Sequence, residues 1–202
     1  MLLNLIGNTQ QLIAFITAIL LAITVHEFAH AWMADRLGDP TAKLNGRLTM
    51  NPLAHLDPIG TIFLFLVGFG WGKPVPINDN NLKNPKIDEV KISLAGPASN
   101  LIIAIILGLI IRIIPLGTEI INFLVYIILI NLVLMTFNLL PIPPLDGSHI
   151  LRLFLSENSY KSYSRLGIII LFIFILMNNF YPILNIIINW ITYIFFNYIV
   201  GA

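Results

Sequence analysis

The chain has 202 residues, of which 57% are hydrophobic and 10% are charged, and its formal net charge is +1. Soluble domains carry about 25% charged residues, so this composition excludes an ordinary soluble domain and indicates a polytopic protein of the lipid bilayer. No nucleic-acid partner is expected. The chain contains no cysteine, which excludes disulfides and thiolate metal ligands.

Apolar runs predict the membrane-spanning helices. A spanning helix needs about 20 mostly apolar residues, and five segments qualify: roughly 10–35, 91–114, 119–140, 165–180 and 182–200. A further apolar segment at 59–71 has only about 13 residues, a length that fits a re-entrant or interfacial piece better than a span. The predicted fold class is an all-α polytopic membrane protein with about five to six transmembrane helices.

Basic residues predict the orientation of these helices. If 59–71 does not cross, every Lys and Arg except Arg112 falls on one side of the membrane. The positive-inside rule then places the N-terminus outside and the loops 36–90 and 141–164 in the cytoplasm. We expect an integral protein of a prokaryotic cell membrane.

The loop after the first span carries signals for extended structure. Asn45-Gly46 is typical of a two-residue hairpin turn, which makes Thr41–Leu44 and Arg47–Met50 candidate strands. The later stretch "GKPVPIN" is typical of an edge segment, since prolines cannot donate to a sheet ladder. A small re-entrant β-hairpin or loop is therefore predicted beside the first span.

The first span contains the sequence "HEFAH" at residues 26–30. Positions i and i+4 share one helix face, so His26 and His30 can direct ring nitrogens at one ion, with Glu27 beside it. This is the H-E-x-x-H arrangement, in which two histidines bind zinc and the glutamate acts as a base. Ionisable residues are costly inside a membrane and are functional by default, which favours a metal site over a chance match.

A catalytic zinc site takes a third protein ligand, and Asp146 is the candidate. It lies in "NLLPIPPLDG", where a span ends in a Pro-rich break, and Gly147 permits close approach of the backbone. Broken helices at membrane depth are tolerated where they line a cavity. The alternative for Asp146 is an ordinary N-cap of a helix at 148–156, a role that Asp favours.

Several weaker candidates have structural alternatives. His55 could approach the metal or hold the re-entrant loop, and His149 could support the metal site or lie at a helix end. Gly96, Pro97 and Asn100 mark the start of the second span, where small residues permit close helix packing.

Together, "HEFAH", "AGPASN" and "NLLPIPPLDG" resemble the site-2 protease family of intramembrane zinc metalloproteases, over roughly residues 20–155. "NPLAHLDP" further resembles its small prokaryotic members without PDZ or CBS domains. The resemblance implies that His26, His30 and Asp146 bind one Zn²⁺ per chain and that Glu27 is the catalytic acid/base. It also implies that Asn138 assists at the substrate carbonyl and that the hairpin near 41–50 engages an extended substrate.

The predicted function is hydrolysis of peptide bonds within or near transmembrane helices of substrate proteins, toward the cytoplasmic side. Residues 1–155 would form the protease core and 156–202 a C-terminal helical hairpin. Two alternatives stay open: a metal or proton transporter, for which the expected repeats are not evident, and a non-catalytic zinc-binding membrane protein. A fourth protein ligand such as His55 would favour the latter, because structural zinc sites are closed. The sequence leaves the oligomeric state open.

Overall fold

The structure is a computed structural model that describes residues 9–67, 70–177 and 183–201. Every regular element in these ranges is helical. The α-helices in chain order are α1 (Thr9–Leu37), α2 (Thr41–Leu44), α3 (Pro58–Val67), α4 (Pro85–Ile113), α5 (Thr118–Asn138), α6 (Glu157–Met177) and α7 (Ile183–Val200). Three 3₁₀ helices (Pro52–Ala54, Asp79–Asn81 and Asp146–Leu153) lie in the connections.

The centre of the fold is a bundle of α1, α4 and α5, which pack against one another. Small side chains make the close approach possible: Ala14, Ala18 and Ala22 recur every four residues along one face of α1 and are all buried. Helices in lipid associate largely through such small residues, because the bilayer supplies no hydrophobic force between them.

A second contact layer joins α7 to this bundle. Ala104 of α4 and Ile128, Leu132 and Met135 of α5 form a buried cluster. The α7 residues that pack on this cluster are Phe195, Phe196, Ile199 and Val200. The opposite faces of the long helices carry exposed Ile, Leu and Phe, as expected where lipid is the solvent.

Three of the predicted spans coincide with helices long and apolar enough to cross a membrane, namely α1, α4 and α5. The predicted spans 165–180 and 182–200 fall on α6 and α7, of which residues 185–200 form a shorter apolar helix; the predicted break at residues 181–182 lies outside the described residues. Helix α3 has ten residues, or about 15 Å at 1.5 Å per residue. That is half of a ~30 Å hydrocarbon core, so the described length of α3 is too short to cross alone.

The predicted hairpin at 41–50 is wrong in its secondary structure, because Thr41–Leu44 is helical. Asn45-Gly46 ends this helix instead of turning a hairpin. Gly46 has a φ of 66°, its N–H donates to Lys43 O at 3.0 Å, and the Arg47 N–H donates to Ala42 O at 2.8 Å. This is the Schellman pattern of a helix C-terminus, which uses the same left-handed glycine as a hairpin turn.

Extended pairing among the described residues is limited to one antiparallel bridge between Leu56 and Gly72. The Lys73 N–H donates to His55 O at 2.8 Å beside it. The guanidinium of Arg47 donates to the carbonyls of Lys73 and Pro74, at 2.5 and 3.2 Å. The segment around residues 72–76 is thus held in place by one short backbone bridge and by the side-chain donors of Arg47.

Candidate metal centre

His26 and His30 lie one turn apart in the C-terminal half of α1. This is the half that the distribution of basic residues predicts to lie toward the cytoplasm. Their rings are nearly perpendicular, with centroids 4.6 Å apart, and both residues are buried. A ring nitrogen from each histidine and a carboxylate oxygen of Asp146 lie within 4.8 Å of one another. The structure therefore brings together the three residues whose chemistry the sequence singled out. His26, His30 and Asp146 together form the metal group.

Asp146 reaches this group because the chain breaks sharply after α5. It is the first residue of a 3₁₀ helix whose N-cap is Leu145, so its side chain does not cap the helix, and the N-cap alternative is not observed. A Cβ on Gly147 would collide with the carbonyls of Leu139 and Leu140, so only glycine permits this close return. Asp146 Oδ2 lies 3.0 Å from His26 Nε2 and 3.4 Å from His30 Nε2.

The far nitrogens of both rings are hydrogen-bonded to acceptors. His26 Nδ1 lies 2.7 Å from Asn100 Oδ1, and His30 Nδ1 lies 2.7 Å from Ile92 O. A carbonyl oxygen can only accept, so each Nδ1 must carry the proton and donate. In the neutral rings, both Nε2 atoms then carry a lone pair that can bind a metal. Histidine ligands of metals generally donate their other ring N–H in this way, which fixes the tautomer and the ring orientation.

This arrangement fits a metal ion by its charge and lone pairs. Two Nε2 lone pairs and a carboxylate converge, and Asp146 Oδ2 is buried with no hydrogen-bond donor. Acceptors crowded together without a donor repel one another, and a cation among them removes that repulsion. Two imidazoles and one carboxylate are a ligand set of catalytic zinc sites, which use three protein ligands.

Helix α4 packs directly against the rings of His26 and His30 at Gly96. A Cβ at this position would lie 2.6 Å from His30 Cε1 and 2.7 Å from His26 Cε1, closer than carbon atoms can approach. Gly96 and Pro97 are both buried. The absence of a side chain at Gly96 therefore lets the backbone of α4 reach the rings.

Asn131 is a buried polar residue behind His26 that the sequence analysis missed. Asn100 Nδ2 donates to Ala22 O at 3.0 Å and to Asn131 Oδ1 at 2.9 Å, and Asn131 Nδ2 donates to Ile127 O at 2.9 Å. Both amides are fully buried. The signal available in the sequence was a polar residue in the middle of an apolar span, which is costly unless it is used.

Glu27 borders the metal group on the side of the extended segment. It is partly buried, and a Cβ placed on Gly72 would lie 3.5 Å from Glu27 Oε1. The bridge between Leu56 and Gly72 thus passes directly beside this carboxylate. A carboxylate in such a position can exchange a proton with water or with a chain paired along the bridge.

The remaining candidates are not members of the ligand group among the described residues. Asn138 Nδ2 donates to Leu134 O at 3.0 Å within its own helix. His55 is fully buried, with Nε2 2.8 Å from Thr49 O, and it holds the loop. His149 Nδ1 lies 2.9 Å from Glu89 Oε1. Neither histidine supplies a fourth ligand to the described group.

Comparison with known proteins decides the family. The model of peptidase family M50 matches residues 14–117 and 112–178, which together are most of the chain. The chain belongs to peptidase family M50. This membership confirms the predicted site-2 protease resemblance and the classification as a zinc metalloprotease with a zinc cofactor.

Named relatives of this M50 protease come from bacteria and an archaeon. "Putative zinc metalloprotease YwhC" of Bacillus subtilis is 44% identical over 146 residues, which are 68% of this chain and 67% of YwhC. "Putative zinc metalloprotease Rip2" of Mycobacterium tuberculosis is 30% identical over 154 residues, 70% of this chain and 60% of Rip2. "Zinc metalloprotease MJ0392" of Methanocaldococcus jannaschii is 26% identical over 155 residues, 77% of this chain and 38% of MJ0392. The chain thus spans between about two fifths and two thirds of these relatives. No solved structure matches the chain.

Proposed function

We propose that this M50 protease is an intramembrane endopeptidase that cleaves transmembrane segments of other membrane proteins, with residues 1–155 as its core. The observation that carries the proposal is the convergence of His26 Nε2, His30 Nε2 and Asp146 Oδ2 inside a bundle of apolar helices, with Glu27 beside them. Three protein ligands leave a coordination position for water, which favours a catalytic over a structural site.

His26, His30 and Asp146 hold the metal in this proposal. When bound, zinc supplies a Lewis acid that polarises a carbonyl and acidifies water. Glu27 takes the proton from the attacking water and delivers it to the leaving amine, the role of a general base that becomes a general acid. Asn138 donates to the developing oxyanion once its amide leaves Leu134 O, and one such donor is typically worth about 3 kcal/mol.

The substrate lies along the segment that borders Glu27. A transmembrane helix hides its peptide bonds in its own hydrogen bonds, so it must unwind before attack. Pairing of the unwound strand with an exposed edge would replace the lost bonds. Gly72 and its neighbours are extended, anchored by Arg47, and lie against the Glu27 carboxylate, which supports this segment as the edge.

The orientation and the remaining spans belong to the same proposal. Loops 36–90 and 141–164 face the cytoplasm, so the metal group lies toward that side and water enters from there. Helices α6 and α7 cross as a C-terminal hairpin, which gives five spans with α3 as a re-entrant piece.

The test of the function is cleavage by the purified full chain in liposomes with a panel of single-span substrates. We expect wild type to cleave at least one substrate, a zinc chelator to abolish the cleavage, and Glu27→Gln to be inactive while it keeps its zinc. Glu119→Gln, an exposed carboxylate in the first turn of α5, is the matched control and should cleave like wild type. Equal cleavage by wild type and Glu27→Gln would refute the proposal.

The ligand assignment has a separate test that does not depend on a substrate. Asp146→Ala removes one of three ligands, so we expect its zinc affinity to fall by more than about tenfold, since loss even of outer-shell partners costs 10- to 100-fold. Asp35→Ala, a partly exposed carboxylate paired with Lys43, should bind zinc like wild type. Undiminished zinc in Asp146→Ala, measured by competition with a chromophoric chelator, would remove Asp146 from the site.

A further inference from the structure

A cavity separate from the metal group opens at the start of α6. Its volume is about 320 Å³, and it lies between the first turns of α6 and the end of the 3₁₀ helix that begins at Asp146. The residues that line it are Arg152, Glu157, Tyr160, Lys161, Ser164 and Arg165. Three of these six side chains are cationic, which makes the cavity a candidate anion site.

Not all of this positive charge is available to a ligand. Arg152 lies 3.2 Å from Asp79 and 3.0 Å from Glu157 and also pairs with Glu89, so its charge is already compensated. Glu157 is the acidic residue of the lining; it is held in that pairing, and it lies four residues before Lys161, whose charge it partly offsets. The cavity's available charge therefore comes from elsewhere on α6.

Lys161 and Arg165 supply that charge. Both are exposed, and neither forms an ion pair or a side-chain hydrogen bond within the part of the chain that the structure describes. They lie four residues apart, so they share a helix face, where two like charges repel each other. An anion between them would remove this repulsion, and the hydroxyl of Ser164, also in the lining, can donate to it.

The same face of α6 continues as an apolar surface. Ile168 and Phe172 follow Arg165 by three and seven residues and are 69% and 61% exposed. The face thus passes from cationic to apolar within about one turn. This order of charge and then hydrocarbon is that of a phospholipid, whose phosphate lies at the interface and whose acyl chains lie deeper.

We infer that this cavity binds the headgroup phosphate of an anionic membrane phospholipid. Lys161 and Arg165 hold the phosphate, Ser164 donates a hydrogen bond to it, and an acyl chain lies along Ile168 and Phe172. Basic pockets beside transmembrane helices recognise anionic headgroups in this way. The site is separate from the metal group; it rests on the proposed membrane crossing of α6 and not on the proposed proteolysis.

The test compares two lipids on the detergent-purified full chain by native mass spectrometry. Phosphatidylglycerol and phosphatidylcholine of identical acyl chains are the probes. We expect wild type to bind phosphatidylglycerol preferentially. The variant Lys161→Gln/Arg165→Gln should lose roughly thirtyfold of this preference, since each basic residue at a membrane surface contributes about fivefold. The matched control Lys43→Gln/Lys83→Gln removes two other exposed lysines and should keep the wild-type preference.

Two further arms make the result decisive. The swapped pair Lys161→Arg/Arg165→Lys keeps both charges and should keep the preference, which separates charge from any effect on folding. Inorganic phosphate in large excess should leave phosphatidylglycerol bound, because the acyl chain contributes to binding. Equal binding of both lipids by wild type, an undiminished preference in the Gln pair, or displacement by inorganic phosphate would each overturn the inference.

Discussion

At the scale of single residues, the metal group is shaped by the atoms behind it as much as by its ligands. Asn100 is fully buried and joins three helices: it accepts from His26 of α1, donates to Ala22 of α1, and donates to Asn131 of α5. Buried amides are tolerated only when their donors and acceptors are satisfied. Asn100 therefore both sets the tautomer of His26 and ties the bundle together at the depth of the metal.

Replacement of Asn100 by leucine should weaken zinc binding. The variant removes the acceptor of His26 Nδ1, so the ring can adopt the wrong tautomer or rotate, and we expect an affinity loss of roughly 10- to 100-fold. Zinc competition with a chromophoric chelator measures it. Thr24→Val is the matched control, because the buried Thr24 hydroxyl bonds only to Leu20 O of its own helix; its affinity should not change. Wild-type affinity in Asn100→Leu would show that His26 does not need this bond.

At the scale of elements, one carboxylate joins the two ends of the loop 36–90, which is predicted to be cytoplasmic. Asp39 is fully buried and accepts from Thr41 N and Oγ1, Asn78 N at 2.7 Å and Asn81 Nδ2 at 2.7 Å. It thereby connects the segment after α1 to the one before α4. The extended segment beside Glu27 lies between these two anchors.

Protonation of Asp39 in acid should weaken the hydrogen bonds that connect these two segments. Burial alone would raise the pKa of Asp39, but the hydrogen bonds from Asn78, Thr41 and Asn81 outweigh it and hold the pKa below its ordinary value. A lowered folded-state pKa means that the stabilisation is complete above the unfolded pKa of about 3.9 and is lost as the pH falls through the folded value. We expect the protection of residues 38–47 and 78–81 against hydrogen exchange, taken relative to the intrinsic exchange rate at each pH, to fall below about pH 4.

The same experiment on two variants isolates Asp39 from other carboxylates. Asp39→Asn should exchange faster than wild type already at neutral pH and should show a flatter dependence on acid. Asp35→Asn, whose carboxylate pairs with Lys43 at the surface, should retain the wild-type profile. An acid response in Asp39→Asn as steep as in wild type would assign the effect to another group.

At the scale of the whole molecule, the membrane topology depends on α3. Its ten residues reach about half the thickness of the hydrocarbon core, so the chain before and after it should emerge on one side. Helices α4 and α5 then return the chain to that side at the Pro-rich break that carries Asp146.

Cysteine accessibility tests this arrangement directly, because the chain contains no cysteine of its own. Single variants at exposed positions, Leu44→Cys, Asn80→Cys and Thr118→Cys, report the segments before and after α3 and the α4–α5 turn. With an impermeant thiol reagent on intact cells, we expect only Thr118→Cys to be labelled, and all three after permeabilisation. Labelling of Leu44→Cys and Asn80→Cys from opposite sides would mean that the chain crosses between them.

By itself, the sequence determined the properties that depend on local spacing and composition. Apolar runs of sufficient length predicted α1, α4 and α5, and the four-residue spacing of His26 and His30 placed both rings on one face, because helix geometry alone dictates it. The family followed from the combined motifs. Local spacing gave the wrong prediction at Asn45-Gly46, because a left-handed glycine fits a hairpin turn and a helix C-terminus equally well. Hydrogen bonds to the carbonyls of Lys43 and Ala42 stabilise the helix C-terminus.

Only the tertiary structure decided which distant residues meet. Asp146 lies 120 residues beyond His26 in the chain, and its proximity depends on the packing of α1, α4 and α5 and on the tight return at Gly147. The same packing brings Asn100 and Asn131 behind His26, Gly96 against both rings and Gly72 beside Glu27. No local pattern encodes such contacts, because His26, His30 and Asn100 are buried polar groups whose hydrogen-bond partners lie on other helices.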